Sequence, residues 1–506
     1  MSNYPKMDIC IYPTSIRFKM PDPYTLENGM KFGEFLNSLT EFRFEFDTRK
    51  WRRTKQYAIY EESTQVCSIP RYYLKDFVNY IRYYGGEVNL VYAPINPGRD
   101  VTFKINSHWK LRENQIDPVN FLIDTSSSHR MRALPIITGG GKSFMSIYAA
   151  AKLNKPFLVI VGGLVEQWYD VIAVGQKNKY PVLDLEENEI YVIQGQESLV
   201  NLIENKDYNP NIVIGSLSTI RNYITADHYP YNVLPNFNDL MTRIGIGTKI
   251  NDEAHRCFGT IVDIDLRCNI ANNFYLSATL TRGDKQSKKI FKRVFPEIIR
   301  YQAPEPIKYQ NIYYVPYYIG NFKEFKVVSK RYGYSQNRYE HQILIDVYKK
   351  IMFLQFIHSR VEEYYIRIKN PGEKCLIMAS TKAMCDAFME YFKAEYPNLR
   401  IKSFYENDGD ENTNDVDIII ATVGKASTGN DIKELRTLIN TISIGSEVLP
   451  VQILGRLRQL DKGRIPIYVA MYNKVLDAHI RHYKFCRTIY RSRALNYYDL
   501  SDKEIL

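Results

Sequence analysis

The strongest limit on how this chain can fold is a repeated alternation between short apolar runs and helical stretches. FLVIVGG (157–163), NIVIGS (211–216), IGIGTKIND (244–252) and NFYLSAT (273–279) have the length and β-branched content of buried strands, and helix-like segments separate them. A strand with no polar face needs cover on both sides, and parallel strands need a crossover helix, so the pattern predicts a parallel sheet between helical layers. From about residue 301 the style recurs in KCLIMAS (374–380), VDIIIATV (416–423) and TLINTISI (437–444). Residues 1–106 read differently. IRFKM (16–20) and FRFEF (42–46) alternate like strands, GMKFGEFLNSLT between them has helical spacing, and YYLKDFVNYIRYYG (72–85) is an amphipathic helix ending at glycine. The turn-rich YAPINPGRD (92–100) marks a boundary. The expectation is an α/β chain with two parallel-sheet domains, 107–300 and 301–506, behind a small α+β domain over 1–106.

Composition narrows the class. Of 506 residues, 45% are hydrophobic and 24% charged, which excludes a disordered chain. The net charge of +11 and the 41 tyrosines beside 24 Phe and 3 Trp suit a nucleic-acid partner, because cations hold phosphates and rings stack on bases. Tyrosine at half-buried strand positions accounts for the same numbers, and composition alone does not choose. MSNYPKMDICIYPTSIRFKM lacks the parts of a signal peptide, and no apolar run reaches the roughly 18 residues of a membrane span. Cys10, Cys67, Cys257, Cys268, Cys375, Cys385 and Cys486 are scattered and form no CxxC pair, which argues against a zinc ribbon or disulfide framework. A soluble, intracellular protein in a reducing compartment is expected, with no membrane partner.

The sharpest local signal is TGGGKS (138–143), between the strand-like ALPII and the helical FMSIYAAAKL. A glycine turn opening a helix lets backbone N–H groups wrap phosphate oxygens at the positive helix end. Thr138, Gly139, Gly140 and Gly141 would form the cradle, Lys142 would reach the β/γ-phosphates and Ser143 would ligate Mg²⁺. Ile136 stands where the pattern GxxxxGK[ST] has its first glycine. INDEAH (250–255) follows the strand-like IGIGTKI, and its adjacent carboxylates suit two tasks. Asp252 would hold Mg²⁺, and Glu253 would accept a proton from the attacking water. A solvated acidic loop is the plainer account of a DE pair, but this one lies in the same α/β unit as the glycine loop. SATLTR (277–282) ends another strand, where Ser277, Ala278 and Thr279 could relay hydrogen bonds between a nucleotide and a neighbouring domain. In QILGRLRQ (452–459), Gln452, Arg456 and Arg458 could neutralise charge on a transferring phosphate. ASTGNDIK (426–433) places Thr428, Gly429 and Asp431 in a loop that could couple phosphate and nucleic-acid contacts.

The order TGGGKS, DEAH, SAT, STGND, QILGR resembles motifs I, II, III, V and VI of the superfamily 2 helicases and translocases, over roughly residues 107–470. The resemblance implies two RecA-like domains that bind ATP and Mg²⁺ and alternate their grip on nucleic acid with nucleotide state. LRENQ (111–115) is similar to the glutamine motif, which implies adenine contacts from Arg112 and Gln115. FLVIVGGLVEQW (157–168) resembles motif Ia, whose loop faces the nucleic-acid backbone, and KCLIMASTKAMCDAF (374–388) resembles motif IV. Within the superfamily the chain looks most like the phage recombination helicases, which implies branched or duplex DNA, such as forks and four-way junctions, and RNA–DNA hybrids as substrates. In QxxGRxxR the second arginine stands one residue further on than Arg458 does here, so Arg456 is the safer carry-over.

Three basic clusters stand apart from these motifs: RKWRR (49–53), KQSKKIFKR (285–293) and KVLDAHIRHYKFCRTIYRSR (474–493). The first interleaves cations with an aromatic ring, so Arg49, Lys50, Trp51, Arg52 and Arg53 are the favoured nucleic-acid contacts. The expected activity is an ATP-dependent DNA helicase or translocase, acting as a monomer in recombination, repair and replication restart. The alternatives are a DEAH-type RNA helicase, a packaging motor with a nuclease, and a nucleotide-independent DNA-binding protein with a decayed ATPase. Retention of Lys142, Asp252, Glu253 and Arg456 speaks against the last.

Overall fold

The apolar runs of the first α/β region pair as six parallel strands in the order 190–193, 212–216, 157–161, 248–251, 272–277, 131–135. The computed structural model describes residues 6–20, 30–45, 50–126, 128–136, 140–163, 165–175, 180–225, 235–278, 280, 285–304, 308–329, 333–405, 408, 413–427, 432–461 and 463–501. Both sheet faces are buried. Val159, Ile250 and Phe274 pack on one side with Met145 and Ile147, while Leu158, Ile160 and Tyr275 pack on the other with Phe258 and Ile261. Because every strand runs the same way, the segments that follow their carboxyl ends gather along one edge, where ligands of open α/β sheets bind.

The strand expected over 244–252 is shorter than its apolar run. Ile244 ends the helix Phe237–Ile244, and Gly245, at φ 77°, closes it in the left-handed conformation. The strand itself is Thr248–Asn251. The run 437–444 departs likewise. The strand is Leu435–Asn440, and beyond it the Asn440 side chain accepts the Ile442 N–H at 3.1 Å, turning the chain out of the sheet.

The N-terminal region forms a mixed sheet in the order 59–61, 66–70, 15–19, 6–11, 87–92, in which only the last pair is parallel. The helix Leu74–Tyr83 buries Phe77, Val78 and Ile81, with Phe77 stacked 4.0 Å from Phe18. This apolar core is continuous with that of the first parallel sheet. Tyr57 lies 5.0 Å from Phe258, Thr14 Oγ1 donates to the Asp265 carbonyl at 2.7 Å, and Lys55 pairs with Asp263 at 2.5 Å. Residues Met1–Ile136 and Gly140–Ala303 therefore make one compact unit, and Pro304–Leu506 a second.

The second unit holds seven parallel strands in the order 401–404, 418–422, 374–379, 435–440, 467–473, 311–317, 496–499. Tyrosines fill much of its interior and pair their hydroxyls there. Tyr317 meets Tyr339 and Tyr468 meets Tyr490, each at 3.0 Å, and Tyr365 donates to the Glu373 carbonyl at 2.7 Å. Part of the tyrosine excess is thus a hydrogen-bonded core. The α/β expectation of two parallel-sheet domains behind a small α+β region is borne out. Among the described residues no helix is long and apolar enough to cross a membrane.

Candidate functional site

The strand Met131–Pro135 leads to the helix Lys142–Lys152 through the glycine turn. Thr138 and Gly139 lie outside the described residues, and Gly140 is half-buried at the turn's end. Gly141 sits at φ 84°, and its carbonyl accepts the Met145 N–H at 2.9 Å, opening the helix. The left-handed backbone favours glycine here, and a Cβ at Gly141 would fall 2.5 Å from Gln115 Nε2 and displace that carboxamide. Gln115 is buried, and its Oε1 accepts the Arg112 N–H at 3.1 Å. That clamp places the Gln115 carboxamide against the glycine turn and leaves Arg112 exposed. Lys142 is mostly buried, with Nζ donating to the Ile136 carbonyl at 3.0 Å. The Ile136 departure therefore leaves intact the backbone oxygen that holds the lysine. Ser143 stands half-exposed in the first helical turn.

The two carboxylates follow the strand Thr248–Asn251. The Asp252 N–H donates to the Ile160 carbonyl and the Ala254 N–H to the Leu276 carbonyl, both at 2.9 Å, so the loop is stitched to the strands on either side. Glu253 adopts φ 46°, a left-handed conformation unusual outside glycine. Both Asp252 oxygens are engaged: Oδ1 accepts the Glu253 N–H at 2.9 Å, and Oδ2 accepts Trp168 Nε1–H at 3.0 Å. Burial raises the Asp252 pKa and the Glu253 charge adds to the rise, while the Trp168 hydrogen bond and Lys142 oppose it. Glu253 Oε2 is buried without a hydrogen bond. It lies 3.2 Å from His255 Nδ1, an ion-pair distance, but that nitrogen meets Ser277 Oγ at 2.8 Å. A buried carboxylate oxygen with no hydrogen bond, beside a second, half-buried carboxylate, suits a divalent cation and a water to be activated.

Ser277 and His255 are both buried, and their contact joins the acidic loop to the segment after the next strand. Ala278 is buried beside it, and Thr279 lies outside the described residues. In the second unit, Gln452 stands half-buried on the helix Val448–Leu454. Arg456 is 3% exposed in the turn that follows, its N–H donating to the Ile453 carbonyl. Arg458 reaches back to the Gly455 carbonyl of its own turn. Gly429, Asp431 and Thr428 lie outside the described residues.

The aromatic and basic run is one arm of an antiparallel hairpin, Thr40–Glu45 against Lys50–Gln56. Lys50, Trp51, Arg52 and Arg53 are exposed in sequence, Trp51 by 67%, while Arg49 lies outside the described residues. The other two clusters lie on the helices Lys285–Val294 and Asp477–Arg493, where some of their cations serve local structure. Arg293 pairs with Asp76 at 2.7 Å and Arg487 with Asp499 at 3.4 Å. Sequence reasoning gave no role to Trp168 or His255. Each is visible in a motif, but its partner is fixed only by which strands are neighbours.

A glycine loop, paired carboxylates and the Ser277–His255 bridge thus stand on the carboxyl edge of one parallel sheet. A second parallel sheet carries the arginine motif. Each of the two units is an α/β fold built on a parallel sheet, as expected of two RecA-like domains. Among solved structures it is similar to T4 UvsW, at 17% identity and a TM-score of 0.36, covering 98% of this chain and 99% of that one. It is also similar to Dbp5 of S. cerevisiae, described as bound to RNA and ADP BeF3, at 12% identity and a TM-score of 0.48, covering 78% and 91% of the two chains. No family model and no curated protein matches the chain.

Proposed function

We propose that the protein is an ATP-dependent DNA helicase or translocase acting on branched DNA. The observation that carries the ATPase part is the convergence of Lys142, Asp252 and the unsatisfied Glu253 Oε2 on one sheet edge. In this account the 138–141 turn cradles the phosphates and Lys142 leaves the Ile136 carbonyl to meet them. Gln115 and Arg112 hold the adenine. Ser143 and Asp252 would hold Mg²⁺, which when bound screens the phosphate charge. Glu253, its Oε2 already desolvated, takes the proton of the attacking water. His255 and Ser277 carry the change of state out of the acidic loop, with Ala278 and Thr279 completing that segment. The resemblance gives Arg456 and Gln452 the arginine-motif part in hydrolysis, and Gly429 and Asp431 a part in nucleotide binding. Arg458, tied to Gly455, takes a positioning part at most.

Binding to a nucleic-acid backbone is favoured by the hairpin, and the choice of DNA rests on the resemblance to the phage recombination helicases. Four consecutive exposed residues, Lys50 to Arg53, offer cations and a ring without any fixed base-reading geometry, which suits backbone phosphates. Arg49 and Thr428 are the further nucleic-acid contacts proposed from the sequence. The N-terminal sheet shares its core with the first parallel sheet, so point changes test this better than truncation. The deciding measurement is ATPase stimulation and unwinding across forks, four-way junctions, plain duplex, RNA–DNA hybrid and RNA, with Arg52→Glu/Arg53→Glu alongside. Forks and junctions should stimulate most, and the double variant should bind them more weakly with a shallower salt dependence. Stronger stimulation by RNA would make the protein an RNA helicase, and absence of ATPase activity on every substrate would leave only a DNA-binding protein.

A further inference from the structure

Trp168 lies on the short helix Val165–Tyr169, in the segment after the strand Phe157–Val161, next to the strand that ends at Asn251. It is 5% exposed, and its indole N–H donates to Asp252 Oδ2 at 3.0 Å. Indole has a single polar hydrogen and no acceptor, so a buried Trp N–H without a partner is costly. Here the partner is the carboxylate assigned to the metal. The other oxygen of that carboxylate is held by the Glu253 N–H at 2.9 Å. Two donors from two different segments therefore fix the carboxylate plane and leave one lone pair on each oxygen for a ligand. Donors of this kind orient a metal-binding group and tune its basicity.

We infer that Trp168 is a positioning residue for divalent-cation binding, holding Asp252 in the orientation that accepts the cation. The inference rests on the nucleotide site proposed above and adds a residue to it. It also gives the 165–169 segment a direct line to the acidic loop: any shift of that helix moves the indole N–H and with it the Asp252 carboxylate.

The test uses the full-length protein, a fluorescent non-hydrolysable ATP analogue and Mg²⁺. In Trp168→Phe the ring is kept and only the donor and the second ring are lost. The Mg²⁺ concentration that half-saturates analogue binding should rise about ten-fold or more, while binding of the analogue in EDTA stays as in the wild type. An unchanged Mg²⁺ requirement, or a loss of affinity equal with and without Mg²⁺, would overturn the inference in favour of simple packing. If Trp168→Phe does not fold, the unaltered protein still decides the matter. Its three tryptophans give three indole N–H resonances. One of them should move when Mg²⁺ joins the analogue, and the same one should move in Asp252→Asn; if none moves in either case, the inference fails. Should the wild type bind no analogue at all, the nucleotide site itself is wrong, an outcome distinct from a Trp168→Phe that matches a competent wild type.

Discussion

The two parallel sheets are built alike, but a polar constellation at the edge of the first and one inside the second are satisfied to different degrees. Along the carboxyl edge of the first, Asp252 is half-buried with its pKa raised and Glu253 Oε2 has no hydrogen bond. Inside the second, a chain of polar groups runs from partner to partner. The Asn473 N–H donates to His479 Nδ1 at 3.1 Å, which fixes the tautomer with the proton on Nε2, 2.6 Å from the Tyr334 hydroxyl. Tyr334 donates to Gln336 Oε1 at 2.7 Å, and Gln336 Nε2 donates to Glu340, which also accepts the Ser380 and Thr381 N–H groups. Both are polar constellations that mix buried and half-buried residues. In the first, Glu253 Oε2 is left without a hydrogen bond although Trp168 and the Glu253 N–H both donate to Asp252; in the second, each named group has its partner, as a frame needs.

The largest effect should come from the incomplete side. Glu253→Gln removes the proposed base while keeping the shape of the side chain. ATP hydrolysis should fall about 10²–10⁴-fold with nucleotide binding retained, as read by steady-state turnover and equilibrium binding. A variant that hydrolyses ATP at the wild-type rate would remove Glu253 from the mechanism and leave its unpaired oxygen unexplained.

The same strand also has a complete end. Lys249, three residues before Asp252, is buried and pairs with Asp265, whose other oxygen accepts the Tyr275 hydroxyl at 2.8 Å. Burial raises the Asp265 pKa and the Lys249 charge opposes it. Lys249→Met strands that carboxylate and should cost about 3–5 kcal/mol in denaturant unfolding, whereas Lys249→Met/Asp265→Leu should recover most of it. Equal losses in the single and double variants would mean that the pair itself, and not the stranded charge, supplies the stability.

How much of this was legible in the sequence depends on where the partner lies. The strands 157–161 and 374–379 announce themselves because burial on both faces writes a continuous apolar run. The end of the strand at Asn440 does not, since the Asn440–Ile442 turn hides inside residues as apolar as those of the strand. TGGGKS and DEAH are local, because phosphate wrapping needs adjacent backbone and the paired carboxylates are neighbours in the chain. The Gln115 carboxamide against Gly141, the Trp168 bond to Asp252 and the Ser277–His255 contact are set by strand order, which no single segment encodes. The tyrosine excess was visible as a number, and only the structure shows hydroxyls paired across the second core.

Acid should probe the complete side. His479 is held neutral: burial lowers its pKa from 6.5 to about 3, and His482 nearby adds to the fall. Protonating Nδ1 would also set two N–H donors against each other at the Asn473 contact. The unfolded chain takes up this proton first, so the stability His479 gives is complete above pH 6.5 and falls as pH drops towards about 3. The loss is about 1.4 kcal/mol per pH unit within that window, less near its upper end. Urea unfolding of the second unit at pH 7, 6 and 5 measures it. A stability that does not respond to acid in this range would show that the network opens to admit the proton.

The smallest predicted change discriminates best between a frame and a site. Tyr468→Phe deletes one hydroxyl that accepts from Asn440 Nδ2 at 3.1 Å and meets the Tyr490 hydroxyl at 3.0 Å. Asn440 Nδ2 keeps its second contact, to the Ile442 carbonyl at 3.3 Å, so the amide is only partly deprived. The Tyr490 hydroxyl loses a partner in a place water does not reach. The cost should be about 1–2 kcal/mol, near the lower end for a buried group left unsatisfied. It should appear as a lower unfolding midpoint, with the KM for ATP unchanged. Should the KM move as well, the second sheet's interior would be coupled to nucleotide binding, and the contrast between the two sheets would reduce to which of them holds the carboxylates.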